Sequence, residues 1–577
     1  MKLRRSNHEP GHQSLERTAL IEKWMPRSIE CLRDYSPKKF FQDLVAGITV
    51  GLVALPLAMA FAIASGVAPQ AGIYTAIVAG FLISALGGSR LQIGGPTGAF
   101  VVIVAGIVVR FGLNGLALVG IMTGVILLVM GLTGLGTAVK YIPRPVITGF
   151  TNGIALLIAS TQIKDFFGLV TPHVPGDLIG RLTVLVTFAT TVHWQSILIS
   201  VGTLVVILAL PLITTRIPGS IIALLLSTAA VVVFHLGVPT IGSAFGGIPA
   251  GFPHFVLPAL QVSQIGPLLP SAFTVAFLAA IESLLSAVVA DSMSGDRHKS
   301  NVELMAQGIA NIVSPLFGGI PATGAIARTA TNIRSGAQTP ISGMIHAATL
   351  LIILLVAAPL VKFIPLAALA AVLMVVAYNM GEWHEIGAIV RLSKADIAVW
   401  ATTFALTAFA DLSVAVGVGI ALAALLYIYR IGETTTVSAV TPEYLADGFS
   451  HILQDKVIPP YVTVLRIHGP FLFGTTDKLE ESTKDLDKLA DVVVLRLRNM
   501  TALDATGVHA LERLSNRLRA AGKTMLLCGA MAQPAKLLSR SQFAARLGPE
   551  NICPNIEAAL ERARQLVDAA TEVVISQ

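Results

Sequence analysis

The sequence predicts a polytopic α-helical membrane protein followed by a small cytoplasmic α/β domain. Three observations carry this expectation. Apolar windows of about 20 residues, the length that crosses the hydrocarbon, recur between Leu44 and Tyr429. Hydrophobic residues make up 54% and charged residues 13%, a balance too apolar for a water-soluble chain of this size. After Arg430 the composition turns ordinary and soluble.

The apolar part divides into fourteen long or split segments, near 43–65, 71–87, 96–110, 116–138, 146–161, 194–214, 217–237, 270–290, 302–316, 323–334, 340–361, 364–381, 395–411 and 412–430. A short phrase occurs twice in them. It runs Gly94-Gly95-Pro96-Thr97-Gly98-Ala99 in the third segment. In the tenth it returns as Gly318-Gly319-Ile320-Pro321-Ala322-Thr323-Gly324-Ala325, with two insertions. Its place in both halves suggests seven spans plus seven. Each copy interrupts a span and opens a short one, and an interrupted helix in lipid must face a cavity. Matching breaks in two halves are the sequence mark of a transporter binding site. Two half-helices would aim amides and positive dipole ends at the midplane, where an anion fits.

Charge sets the orientation. Lys2, Arg4, Arg5, Arg17, Lys23, Arg27, Arg33, Lys38 and Lys39 precede the first span. With that end inside, Arg90, Lys140, Arg144, Arg216, Arg297, Lys299, Arg334, Arg391 and Lys394 are also cytoplasmic. The loop 236–270 would be outside and holds no Lys or Arg. Both termini are then cytoplasmic, in what reads as a bacterial inner membrane. Topology thus explains the net charge of +7, and a nucleic-acid partner is excluded because the cations are spread over membrane-flanking loops. The polar start shows no cleavable signal. Cys31, Cys528 and Cys553 fall in cytoplasmic parts and read as reduced, structural thiols with no metal spacing.

The expected domains are a cytoplasmic segment 1–40, a transport region 41–430, a linker 431–460 and a soluble domain 461–570. Strand-like runs at Tyr461 to Ile467, Val492 to Leu497 and Thr524 to Cys528 alternate with helical patterns. One helix starts at Asp504, a good N-cap, and puts Val508, Leu511, Leu514 and Leu518 on one face. Another spans Asn555 to Val574. The domain has no phosphate loop and no nucleophile with a base, so it reads as a regulatory or interaction module.

Within the membrane, Glu282 stands alone in the apolar run Ala272 to Ala290. A charge there is expensive, so its reading is a coupling-ion ligand or proton carrier; the alternative is a structural glutamate. Arg328 opens the second half-helix, where a fixed positive charge would neutralise an anion, or the side chain would merely snorkel. Thr97 and Thr323 offer hydroxyls at the breaks, for a ligand or for capping. Gly98, Ala99, Gly324 and Ala325 are small enough to let a ligand reach backbone amides, or to let helices pack closely. Pro56 bends the first span, and Phe61 lines the cavity or the core. No catalytic pair, metal cluster or cofactor site is visible, so an enzyme is not expected.

These motifs carry a resemblance. Gly66-Val67-Ala68-Pro69-Gln70-Ala71-Gly72-Ile73-Tyr74, Gly87-Gly88-Ser89-Arg90 and Gly95-Pro96-Thr97 resemble the sulfate permease family signature. So do Ala280-Ile281-Glu282-Ser283-Leu284-Leu285 and Gly324-Ala325-Ile326-Ala327-Arg328. Leu503-Asp504-Ala505-Thr506-Gly507-Val508 resembles a STAS domain. Ser292 to Lys299 and Thr339-Pro340-Ile341-Ser342 look most like bacterial dicarboxylate carriers of that family. The resemblance implies a seven-plus-seven inverted repeat, with core and gate domains, and a homodimer. It implies anion binding between Thr97, Gly98, Ala99 and Phe100 on one side and Gly324, Ala325, Ile326, Ala327 and Arg328 on the other. Sodium-driven bicarbonate carriers of the family show aspartate, then threonine four residues on; here these are Glu282 and Ser286, which favours protons. The STAS loop implies possible regulation at Asp504 and Thr506 and a cytoplasmic protein partner. The expected function is proton-coupled uptake of sulfate or a C4-dicarboxylate by alternating access. The rivals are a sodium-driven bicarbonate carrier, an uncoupled anion channel and a membrane sensor signalling through its tail.

Overall fold

The computed structural model describes residues 24–575 apart from 138–142, 172–173, 215–217, 260–261, 392, 411 and 440–457. Lys2, Arg4, Arg5, Arg17, Lys23, Lys140 and Arg216, with most of the expected linker, lie outside the described residues. The chain divides into two compact units, 1–421 and 422–577.

Helices in the first unit follow the apolar segments closely. They are α1 Pro37–Ala64, α2 Pro69–Leu86, α3 Val101–Leu132, α4 Arg144–Phe167, α5 Leu178–Thr187, α6 Trp194–Ile213 and α7 Gly219–Val233. The second half has α8 Val262–Ser294, α9 Ser300–Leu316, α10 Ile326–Arg334, α11 Ile341–Val361, α12 Leu366–Met380 and α13 Lys394–Phe409, and α14 Leu412–Thr434 runs across the division at residue 421. Among the described residues, nine helices are long and apolar enough to cross a membrane by length and composition. Length alone therefore does not return fourteen spans. The nine-residue α10 rises only about 14 Å, half the hydrocarbon thickness, as a helix begun at mid-membrane must.

At Gly112, where φ is 68°, the backbone leaves the helical range and α3 divides into two helices, where the sequence separates the third segment from the fourth. Helix α5 occupies a stretch with no expected span. Its N-cap is Asp177, whose carboxylate accepts the Gly180 amide at 2.7 Å.

Glycines set how closely the helices approach. Gly47 and Gly51 of α1 face Ile345 and Thr349 of α11, and Gly149 and Gly153 of α4 face Thr403 and Thr407 of α13. Gly120 and Gly124 of α3 meet Pro315 and Ile312 of α9. All three pairs are four residues apart, so each stripe lies on one helix face. Lipid offers little hydrophobic drive for helix association, and close packing over small residues supplies it instead.

The second unit is a five-stranded sheet in the order β3 (Thr436–Ala439), β4 (Val462–Phe471), β5 (Val492–Leu503), β6 (Thr524–Cys528), β7 (Ile552–Cys553). All neighbours run parallel except the edge pair β3 and β4. Strand residues alternate between faces, as the period of two requires. Val493, Leu495 and Leu497 join Leu511, Leu514 and Leu518 of α15 (Ala505–Ala520) on one side. Val492, Val494, Leu526 and Cys528 join Ala559 and Ala563 of α16 (Ile556–Ile575) on the other. Cys528 and Cys553 are free, and burial pushes the Cys528 thiol up to about 12, so it packs as a small apolar group.

The tightest test of the helix packing is Gly72, where an added Cβ would lie 1.9 Å from the Ala58 carbonyl oxygen. Backbone cannot yield as a side-chain tip can. Gly72→Ala is expected to destabilise the membrane unit by about 1–3 kcal/mol, seen as a lower melting temperature in detergent. An unchanged melting temperature would contradict this packing of α1 on α2.

Candidate functional site

Both copies of the repeated phrase meet in the middle of the first unit. Gly94–Gly95 forms strand β1 and Thr323–Gly324 forms strand β2, paired antiparallel with Gly94 opposite Gly324 and Gly95 opposite Thr323. The pairing extends through the Ala325 amide, which donates to the Ile93 carbonyl at 2.8 Å. Backbone groups that lipid could not satisfy thereby satisfy each other.

Beyond the strands, two helices begin from opposite chains of this ladder. Gly98–Phe100 makes one tight turn that leads into α3, and Ile326 opens α10. Neither start, at Thr97 or Ala325, carries a side-chain cap. The first amides of a helix lack intrahelical partners, so both half-helices present uncapped N–H groups near the crossing. Ile326 and Ala327 are exposed and Ala325 is buried.

Charged groups flank these termini. Glu282 of α8 is partly buried, and its Oε2 accepts a hydrogen bond from Thr97 Oγ1 at 3.0 Å. Arg328 is 2% exposed; its Nη2 donates to the Pro96 carbonyl, while Nη1 has no hydrogen-bond partner among the described residues. Gly95 makes this arginine position possible. Its φ is 147°, and a Cβ there would sit 2.6 Å from Arg328 Nη1. Thus the break of the first repeat holds both charges of the second: Thr97 binds Glu282, and Pro96 binds Arg328.

Other predicted residues divide. Phe61 is buried, and its ring lies 3.3 Å from where a Gly98 Cβ would project, so α1 does wall the first break. Phe100 is buried as well. Thr323 is committed elsewhere: its hydroxyl donates to the Ala279 carbonyl at 3.0 Å and lies 2.7 Å from Ser283 Oγ. Ser283 Oγ in turn accepts the Gly324 amide at 3.1 Å. Thr323 and Gly324 therefore fasten β2 to α8 and offer nothing free to a ligand. In the second unit, Asp504 caps α15 by accepting the Gly507 amide at 2.8 Å, and its other oxygen accepts the Phe473 amide at 3.0 Å. Thr506 is exposed on the first turn of α15.

Two buried carboxylates went unmarked in the sequence. Asp43 of α1 accepts the Gln338 and Thr339 amides at 2.7 and 3.0 Å, fixing the loop after α10. Glu303 of α9 accepts the Gly88 and Ser89 amides at 3.0 and 3.1 Å, fixing the loop before β1. Each lies in one half of the unit and clamps the other half with charge-assisted bonds. Their place near a span end, where charges are common, hides them from a search for lone charges.

The amino-acid pattern of the sulfate permease family matches residues 40–403, and that of the STAS domain matches residues 454–559. The chain belongs to the sulfate permease family. YvdB of Bacillus subtilis, provisionally named a sulfate transporter, is 42% identical over 521 residues, covering 90% of this chain and 97% of that protein. The bicarbonate transporter BicA of Picosynechococcus sp. is 30% identical over 537 residues, covering 90% and 94%. The solved transmembrane domain of a cyanobacterial BicA superposes with a TM-score of 0.60 at 32% identity, over 68% of this chain and 98% of that one. Murine Slc26a9, solved as an anion transporter in the inward-facing state, shares the fold at TM-score 0.84 and 20% identity, over 98% and 96%. As a member of this family the chain is a membrane anion transporter with a C-terminal STAS domain, and its relatives are transporters rather than enzymes.

Gly95→Ala tests the geometry. A side chain at this backbone angle costs about 1–3 kcal/mol and displaces the Arg328 guanidinium. Anion uptake into proteoliposomes is expected to be lost while gel filtration stays monodisperse. Full uptake would show that the Arg328 position is immaterial.

Proposed function

We propose that this transporter couples uptake of sulfate, or of a C4-dicarboxylate, to a proton carried on Glu282. The observation that carries the reading is the placement of Glu282 and Arg328 at the first break, beside two uncapped half-helix N-termini. The anion binds the amides at Gly98, Ala99, Ile326 and Ala327 and the free Arg328 Nη1, with Phe61 and Phe100 closing the apolar side. Uncapped amides and a guanidinium donor are the groups that replace the hydration of an oxyanion. An ionised Glu282 beside that anion would repel it. A proton arriving with the substrate removes the repulsion, so the two bind together and are released together.

Thr97 supports this role. Its hydroxyl donates to a carboxylate and accepts from a carboxylic acid, so it holds Glu282 in place in either form. Sodium coupling is less well supported. Ser286, four residues after Glu282, has its hydroxyl 3.0 Å from Thr329 Oγ1, engaged with α10. The likeness to BicA keeps sodium-driven bicarbonate transport as the second reading. Alternating access would move α1 and α8 with the crossing as one body. The rest of the reading is an inner-membrane homodimer with both termini in the cytoplasm and a cytoplasmic protein partner for the STAS domain.

Uptake of labelled sulfate, succinate and bicarbonate, with and without an inward proton gradient, tests the reading. One of the first two is expected to be stimulated by protons, and Glu282→Gln is expected to remove the stimulation. Arg328→Ala is expected to raise KM about tenfold to a hundredfold, the value of one charge-assisted hydrogen bond. Stimulation by sodium alone, or proton stimulation surviving in Glu282→Gln, would overturn it.

A further inference from the structure

A cavity of about 920 Å³ begins at Val101, one residue beyond the first half-helix turn, and runs along α3 to Phe111. Its other walls include residues 63–66 at the end of α1, the end of α4, residues 174–177 with α5, Phe245, Ser271 of α8 and Leu366 of α12. It is large enough for a hydrated anion and reaches Val101, next to Phe100 of the first half-helix turn. Three cations line it: Arg110 from α3, Lys164 from α4 and Arg181 from α5. Two carboxylates face them, Asp165 from α4 and Asp177 at the cap of α5. Among the described residues, the rest of the lining carries no titratable side chain.

These groups are not equivalent. Arg181 is spent on the structure, donating to the Leu157 carbonyl at 3.3 Å, Ser160 Oγ at 2.8 Å and the Gly176 carbonyl at 2.7 Å. Asp177 is spent on the cap of α5. Asp165 is half-buried and has no hydrogen bond or ion pair among the described residues. Its chain neighbour Lys164 acts on it only through space and forms no ion pair with it, since successive side chains point about 100° apart around a helix. A carboxylate without a partner on the wall of an anion route is an obstacle when ionised.

We propose that Asp165 is a proton-controlled admission group for anions in this cavity. Taking a proton from water neutralises it, which raises the net charge of the described lining residues from +1 to +2 and opens the route. Losing the proton restores a negative wall. Repulsion across a watery cavity is worth about tenfold in apparent affinity for a dianion and about threefold for a monoanion, since the Coulomb energy doubles with ligand charge. Asp165 therefore ranks anions by charge as well as by pH, a task separate from the proton that Glu282 carries. The inference rests on the anion-uptake reading but needs no proton gradient.

The test is sulfate uptake by full-length protein in proteoliposomes, with equal pH on both sides, between about pH 6 and about pH 8. KM for sulfate is expected to rise about tenfold with pH in the unmodified protein. Asp165→Asn is expected to hold the low KM throughout, and Asp165→Glu to restore the rise. A rise that persists in Asp165→Asn overturns the proposal. So does a rise that vanishes only in Glu282→Gln, an outcome that leaves the coupling reading standing. Competition in the unmodified protein gives a check that needs no variant. Inhibition by selenate is expected to weaken with pH about three times more than inhibition by nitrate, and equal weakening would overturn the proposal.

Discussion

Everything at the centre of this transporter depends on a short antiparallel pairing of four residues, Gly94 and Gly95 with Thr323 and Gly324. A broken helix inside a membrane leaves N–H and C=O groups that no lipid can bond, at several kcal/mol each. Joining two breaks lets each satisfy the other. The ladder also turns the two chains so that the half-helices leave it with their amides still unspent. A protein that capped those ends with its own side chains would be more stable and would leave no amide free there.

The supports around the ladder follow the same logic. Ser283 holds the Gly324 amide, Thr329 holds the Ile93 amide, and the Asp43 and Glu303 carboxylates hold the loops on either side. Each bond joins an element of one half to the other half or to the crossing itself. Around this frame stand two charges of opposite sign, Glu282 and Arg328, each touching the break of the other repeat. On the proposed reading, a bound anion adds negative charge beside this pair, and a proton on the carboxylate offsets it.

Much of this arrangement was legible in the residues. Glycine and proline interrupting an apolar run mark a break wherever they occur, and a repeated interruption marks a pair. Glu282 stood out because charge at that depth is rare, and Arg328 because it follows the second break. What a side chain does with its hydroxyl was not legible. Thr97 and Thr323 occupy matching places, yet Thr97 meets Glu282 while Thr323 turns to Ala279. Direction depends on the neighbouring helix, which no local pattern reports. Helix α5 escaped notice because Arg181 interrupts its apolar window and its partners come from α4 and from Gly176 just before it. The edge strand Thr436–Ala439 is too short for periodicity to reveal, and only its pairing with β4 defines it. Asp43, Asp165 and Glu303 lie near span ends, where a charge is expected on general grounds and draws no attention.

The central claim is that an oxyanion replaces water between the two half-helix starts. The most direct measurement is a structure determined with selenate, located by the anomalous signal of selenium. The account predicts selenate within hydrogen-bonding distance of Arg328 Nη1 and of amides from both half-helices. Selenate bound elsewhere, with those amides and Nη1 left untouched, would contradict it.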